Sequence, residues 1–138
     1  MDLLINIDVP DLEKAVAFYT SVLGLTVGRR FGADGVELLG AQAPIYLLVK
    51  EKGSAPAPGA AARDYGRHWT PVHLDLVVPD LDATLRRARD AGATLEQPVQ
   101  ERSWGRMANL ADPFGHGLCI LQFSAQGYDA ISSSGAEP

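Results

Sequence analysis

The chain is short of the residues that staple a fold or grip a polyanion. It has one cysteine, Cys119, in 138 residues. No internal disulfide can form, and a single thiol suits a reducing compartment. Positive charge is scarce as well: 12 Lys and Arg stand against 17 Asp and Glu, for a formal net charge of −5. Neutralising phosphates needs clustered Lys and Arg, so a nucleic-acid partner is not expected. The nearest basic cluster, Arg86, Arg87 and Arg89, falls in a helical pattern beside Asp82 and Asp90 and reads as a solvated helix face. No apolar run approaches the roughly 20 residues that span a bilayer. The opening residues, Met1-Asp2-Leu3-Leu4-Ile5, lack the basic-then-apolar order of a secretory signal. The expectation is a cytoplasmic protein with neither a membrane nor a nucleic-acid partner. Glycines are scattered, with no GxxxxGK[ST] and no post-strand GxGxxG, and no serine stands in a nucleophile elbow.

What is present is a globular balance, 46% apolar and 21% charged, in a length that suits one domain. The most informative feature is an internal repeat. Val9-Pro10-Asp11-Leu12 recurs as Val78-Pro79-Asp80-Leu81, 69 positions later. Each copy follows a short apolar run, Leu3–Val9 or Val72–Val78, and precedes a helical pattern that stops at a glycine, Gly24 or Gly92. In the first run Leu3, Ile5, Ile7 and Val9 share one face while Leu4, Asn6 and Asp8 share the other, the period of a strand. Proline cannot donate to a ladder, so Pro10 and Pro79 end their strands, and Asp11 and Asp80 are placed to cap helices. Leu12, Val16, Tyr19 and Leu23 then follow helical spacing, as do Leu81, Leu85, Ala88 and Ala91.

Strand-like pieces complete each unit: 25–31, 36–39 and 45–49 in the first, 94–97, 105–111 and 117–123 in the second. The organisation is βαβββ, linker, βαβββ: a first module over about 1–52, a linker over about 53–67 and a second module over about 68–123. Ser, Gly and Ala dominate 124–138, which is expected to be a flexible tail. The fold class is α+β, two βαβββ modules forming a curved mixed sheet around a cleft.

Several of these segments match a known pattern. Val9-Pro10-Asp11-Leu12 followed by Glu13-Lys14-Ala15-Val16-Ala17-Phe18-Tyr19 and Val22-Leu23-Gly24-Leu25 resembles the opening of a glyoxalase/bleomycin-resistance/dioxygenase domain, of the vicinal oxygen chelate superfamily. Asp112-Pro113-Phe114-Gly115 and its final apolar strand resemble that family's closing motif, so the resemblance covers roughly 3–123. It implies a U-shaped cleft and a homodimer. It implies in the enzymes a divalent metal held by four cleft positions, which here fall on Leu4, Tyr46, His73 and Cys119. Leucine cannot ligate, and two donors of four do not make a site. The expectation is therefore no metal and no cofactor, and a cleft that binds a small organic ligand, aromatic or antibiotic-like. The alternative is a metal-dependent lyase, isomerase or dioxygenase with an unorthodox set including His73. Metal-free acid–base chemistry by His73 and Asp75 is a third possibility.

Strand alternation puts Asn6, Asp8, His73 and Asp75 on the cleft side, with Ile5, Ile7, Leu74 and Leu76 toward the core. Trp104 and Arg106 would add an aromatic wall and a guanidinium. The expected ligand-binding cleft is thus Asn6, Asp8, Tyr46, His73, Asp75, Trp104, Arg106 and Cys119. His68 and Trp69 are expected to pack, His116 to sit exposed in a turn, and Cys119 to be a small buried hydrophobe rather than a nucleophile.

Overall fold

The computed structural model describes residues 1–133. Strand β1 (Ile5–Val9) turns Ile5, Ile7 and Val9 to the core and leaves Asn6 exposed, the alternation read from the sequence. Pro10 ends the strand, and the Asp11 carboxylate accepts from the Lys14 N–H at 3.1 Å to cap helix α1 (Leu12–Leu23). Gly24, at φ 67°, closes the helix by donating its N–H to the Thr20 carbonyl at 2.9 Å. Strands β2 (Thr26–Arg30), β3 (Gly35–Leu39) and β4 (Ile45–Val49) follow, giving a sheet of order β1-β4-β3-β2 in which β1 and β4 run parallel.

The second module repeats the plan. Strand β5 (Asp75–Val77) leads through the Asp80 cap, which accepts from the Ala83 N–H at 3.0 Å, into helix α2 (Leu81–Asp90). Strands β6 (Thr94–Leu95), β7 (Gln100–Arg102), β8 (Gly105–Ala111) and β9 (Gly117–Phe123) complete a sheet of order β5-β9-β8-β6, with β7 also on β8. The fold is α+β, two βαβββ-like modules with mixed sheets. Two details differ from the sequence reading. The strand expected over 72–78 is shorter: β5 pairs with β9, the segment before it meets β9 through the Cys119 N–H to Leu74 carbonyl bond at 3.1 Å, and Val72 beyond is 84% exposed. The polar strand β7 carries no apolar alternation and gave no periodic signal.

One buried cluster runs through both modules. It joins Val16, Tyr19, Leu38 and Leu47 of the first to Leu85, Leu110 and Ile120 of the second. Burial of that apolar surface is the main force holding the modules together. Among the described residues no ladder joins the two sheets; β1 and β5 are both edges. Polar links cross the joint instead. The Tyr19 hydroxyl donates to Asp112 Oδ2 at 2.6 Å, and Arg87 Nη2 donates to the Val22 carbonyl at 3.1 Å. His116 Nε2 lies 2.7 Å from the Asp8 carbonyl.

The linker is mostly exposed, but it is pinned: Arg63 Nε meets Asp8 Oδ2 at 2.9 Å and the Tyr65 hydroxyl donates to the Lys50 carbonyl at 2.6 Å. The segment read as a flexible tail begins with a 3-10 helix (Gly127–Ile131), whose Tyr128 packs on Trp104 at 5.4 Å and Phe123 at 4.8 Å between ring centroids. The rest of that expectation, over 134–138, lies outside the described residues. No described helix is long and apolar enough to cross a membrane.

Candidate functional site

Two cavities meet at His73. The larger, about 650 Å³, occupies the joint between the β1 edge and the segments 68–74 and 116–118; Asn6, Asp8, His68, His73 and His116 line it. The smaller, about 340 Å³, lies on the concave face of the second module, lined by Trp69, His73, Glu96, Met107, Asn109 and Cys119. His73 borders both. Its Nε2 lies 3.3 Å from Asp75 Oδ1, and the register of parallel β5 and β9 puts Asp75 beside Cys119.

Cys119 is 4% exposed and accepts a hydrogen bond from Asn109 Nδ2 at 3.1 Å. Burial, reinforced by the Asp75 carboxylate, pushes its thiol up to about 11. It is therefore a protonated, packed thiol at neutral pH rather than a nucleophile. Trp69 lies across Gly117, where a Cβ would come within 2.6 Å of the indole, and the Arg67 guanidinium sits 4.6 Å from the ring centroid. Glycine at 117 is what lets that indole lie on the start of β9.

The eight residues expected in one cleft are dispersed. Asn6, Asp8 and His73 line the joint cavity, while Asp75 and Cys119 gather with His73 at its edge. Tyr46 belongs to a separate polar centre. Trp104 packs on Phe123 and Tyr128, and Arg106 pairs with Asp82 at 3.0 Å and Glu101 at 2.9 Å; neither lines the two cavities. Strand parity is the reason. Met107 and Asn109 of β8 face the concave side with Cys119, so Arg106 must point the other way, toward Asp82 of α2. His116 also corrects its expectation: it is half-buried and hydrogen-bonded by both ring nitrogens. A histidine in a turn has no periodicity to reveal such a role.

Sequence reasoning missed a second polar centre, built on Glu37. This carboxylate is buried on β3, opposite Tyr46 of β4. It accepts from Arg29 Nη2 at 2.6 Å, from the Arg29 backbone N–H at 3.1 Å and from the Tyr46 hydroxyl at 2.8 Å. A bulge in β2 between Val27 and Arg30 aims Arg29 at it, and Gly28 leaves it room, since a Cβ there would meet Glu37 Oε1 at 2.6 Å. A lone glutamate in Gly35-Val36-Glu37-Leu38-Leu39 was the available signal.

The Arg29 hydrogen bonds hold the Glu37 carboxyl down at about 2, against its ordinary 4.5. A carboxyl whose folded value is lowered stabilises the fold fully above its ordinary value, and that contribution is lost as pH falls toward the folded one. The stability advantage of the native protein over Glu37→Gln is thus expected to hold above pH 4.5 and to shrink steadily toward pH 2. Urea midpoints measured across that range check it, and a difference independent of pH would refute it.

The family resemblance raises the question of a divalent metal held by both modules. The residues do not fit that set. Leu4 is apolar, and the Tyr46 hydroxyl is engaged by Glu37 and Arg29. Three possible donors, from His73, Asp75 and Cys119, do come within 4.8 Å of one another, all in the second module.

Residues 4–121 match the Glyoxalase-like domain family. The chain is 33% identical over 113 residues to Mb0911c, an uncharacterized protein of Mycobacterium bovis, a match spanning 78% of this chain and 74% of that one. It is 29% identical over 121 residues to the anthracycline biosynthesis protein DauV of a Streptomyces species, spanning 81% of this chain but 38% of DauV. Among solved structures, a glyoxalase/bleomycin resistance protein/dioxygenase family enzyme from Burkholderia phytofirmans superposes with a TM-score of 0.68 at 20% identity, covering 90% of this chain and all 100% of that one. With its doubled βαβββ architecture and a family match over nearly the whole described chain, this protein belongs to the glyoxalase-like domain family of the vicinal oxygen chelate superfamily.

Proposed function

We propose that the protein binds a small organic molecule at the joint cavity and the adjoining concave face of the second module, without a metal. One observation carries this reading: His73 borders both cavities, so a ligand in the larger can reach the polar row of Asp75, Cys119 and Asn109. A volume of about 650 Å³ lies within the usual range for small-molecule sites. Apolar Leu3, Leu4 and Val72 around the same cavity supply surface that a ligand would cover. The name of DauV supports an aromatic ligand, though this chain spans only 38% of that protein. A homodimer belongs to the same reading, because Leu3 (66% exposed), Leu4 (56%) and Val72 (84%) form an apolar rim that a second copy would bury.

A second reading has its own observation, the gathering of His73, Asp75 and Cys119. Imidazole, carboxylate and thiolate are a zinc-type donor set with a fourth position left open. Two measurements decide between the readings. A thermal-shift screen with small aromatic acids and antibiotics is expected to give hits that persist after exhaustive chelation. The shifts should be lost in His73→Ala and kept in Arg86→Ala on the outer helix. Hits abolished by Arg86→Ala but not by His73→Ala would sink the site. Near-stoichiometric zinc in the purified protein, lost in His73→Ala, would replace the first reading with the second.

A further inference from the structure

His68 and His116 face each other across the wall of the joint cavity, and their hydrogen bonds fix how many protons they hold. His116 Nε2 lies 2.7 Å from the Asp8 carbonyl oxygen, and His68 Nδ1 lies 2.8 Å from the Gly66 carbonyl oxygen. A carbonyl only accepts, so both of these nitrogens must carry hydrogen. The two remaining nitrogens, His116 Nδ1 and His68 Nε2, are 3.0 Å apart. If both rings were neutral, two lone pairs would meet at that distance with no hydrogen between them. If both were fully protonated, two N–H groups would collide. Only three protons on four nitrogens satisfy every contact, which leaves the pair with one positive charge.

The surroundings leave that charge without a bonded counterion. On β1 the Asp8 carboxylate is taken by Arg63 of the linker at 2.9 Å. In the turn before β9 the Asp112 carboxylate accepts from Tyr19 and from the backbone N–H groups of Phe114 and His116. Arg67 is paired with Glu96 and donates to the His68 carbonyl. Tyr65 presents its ring to His116 with centroids 6.0 Å apart, and its hydroxyl goes to Lys50. His73 lines the same cavity but is engaged with Asp75, which does not line it. Asn6, on the opposite wall, is exposed and has no side-chain hydrogen bond among the described residues, so its amide offers two free N–H donors.

From this geometry we propose that the joint cavity takes a small anionic ligand, a carboxylate or its equivalent, selected by the proton shared between His68 and His116. The proposal rests on the joint cavity being the ligand site and adds the charge of what it binds. The anion would lie between the Asn6 amide and the imidazole pair, whose own nitrogens are occupied. The pair therefore acts through its charge in a partly desolvated wall, where such attraction exceeds its value in water. Without the shared proton the pair would lose both its charge and its N–H···N bond.

Benzoate and its neutral isostere benzamide are the probes, titrated into the full chain and followed by chemical shifts. At about pH 5.5, a unit below the ordinary imidazole value, benzoate is expected to bind at least about ten-fold more tightly than benzamide. At about pH 8.5, and in the His68→Gln/His116→Gln double variant at either pH, the two should differ by less than about two-fold. Two glutamines carry no charge at any pH, and an amide at each position can still donate to the Asp8 and Gly66 carbonyls, so the fold should survive. Long-range ¹H–¹⁵N spectra at about pH 5.5 should show one proton shared between the two rings. Two independent neutral rings would overturn the proposal. So would benzamide binding as well as benzoate at both pH values, which would leave the cavity reading intact. If neither probe displaces a cavity resonance at either pH, the cavity reading itself falls, and the proposal with it.

Discussion

Asp112→Ala is expected to lower the unfolding free energy by about 3–5 kcal/mol and the thermal midpoint by roughly 10–20 °C. Asp112 is 4% exposed and stands where the modules meet. Its Oδ2 accepts from the Tyr19 hydroxyl at 2.6 Å, and its Oδ1 from the N–H groups of Phe114 at 2.8 Å and His116 at 2.9 Å. Alanine would strand three donors at once. Tyr19 is 1% exposed, and burial and Asp112 both keep its hydroxyl protonated, so that donor has no water to turn to. An unpaired buried donor costs about 1–3 kcal/mol, far more than the net worth of one hydrogen bond. Tyr19→Phe removes one donor and spares the other two, so it should cost only about 1–1.5 kcal/mol. The ranking Asp112→Ala well below Tyr19→Phe, read from denaturant midpoints, is the signature. An Asp112→Ala protein within about 1 kcal/mol of the native one would mean the stranded donors find partners that the structure does not show.

The second large effect is expected three residues on. Gly115 has φ 85°, and a Cβ there would meet the Gly66 carbonyl oxygen at 2.5 Å, the Gly66 carbon at 2.8 Å and the Tyr65 oxygen at 2.9 Å. These are backbone atoms and cannot swing aside. The Gly115 carbonyl also accepts from the His68 N–H at 3.0 Å, so displacing the linker breaks that backbone bridge between residue 68 and the turn. Gly115→Ala should therefore combine left-handed strain with a steric clash and cost about 3–5 kcal/mol. Gly32→Ala is the control. Gly32 has φ 58° but nothing within 4 Å of a Cβ, so it reports the strain alone, about 1–2 kcal/mol. Equal losses at the two positions would show that the linker yields to the new methyl group.

Both positions lie in Asp112-Pro113-Phe114-Gly115, which the sequence reading treated as a turn and a family motif. That contrast shows what was legible and what was not. The repeat of Val-Pro-Asp-Leu located both helix caps, because proline and aspartate act on their immediate neighbours: Asp11 and Asp80 each cap the helix that follows. The period of two in β1 told which residues face the core for the same reason. The side-chain partner of Asp112 lies far away in the chain, Tyr19 by 93 positions, and His116 reaches Asp8 across 108. No local pattern encodes such a contact. Arg106 was a different kind of miss. Counting parity from Cys119 across to Asn109, its partner in the register of β8 and β9, would have turned Arg106 away from the concave face. Glu37 needed only the question of what a carboxylate was doing between Val36 and Leu38.

The two sheets share no ladder, and this bears on how a ligand would come and go. In a continuous sheet, widening a gap between neighbouring strands ruptures a row of backbone hydrogen bonds together. Here the β1 and β5 edges can part while each sheet stays whole. What resists is a short set of ties, Tyr19 to Asp112, His116 to Asp8 and Arg87 to Val22, laid over the packing of α1 on α2. The seam can breathe without melting a module. Its opening rate then depends on these ties and on the packing beneath them, and because Tyr19, Asp8 and His116 also line the cavity, Arg87 is the tie at which residence time can be tuned with the binding surface left untouched.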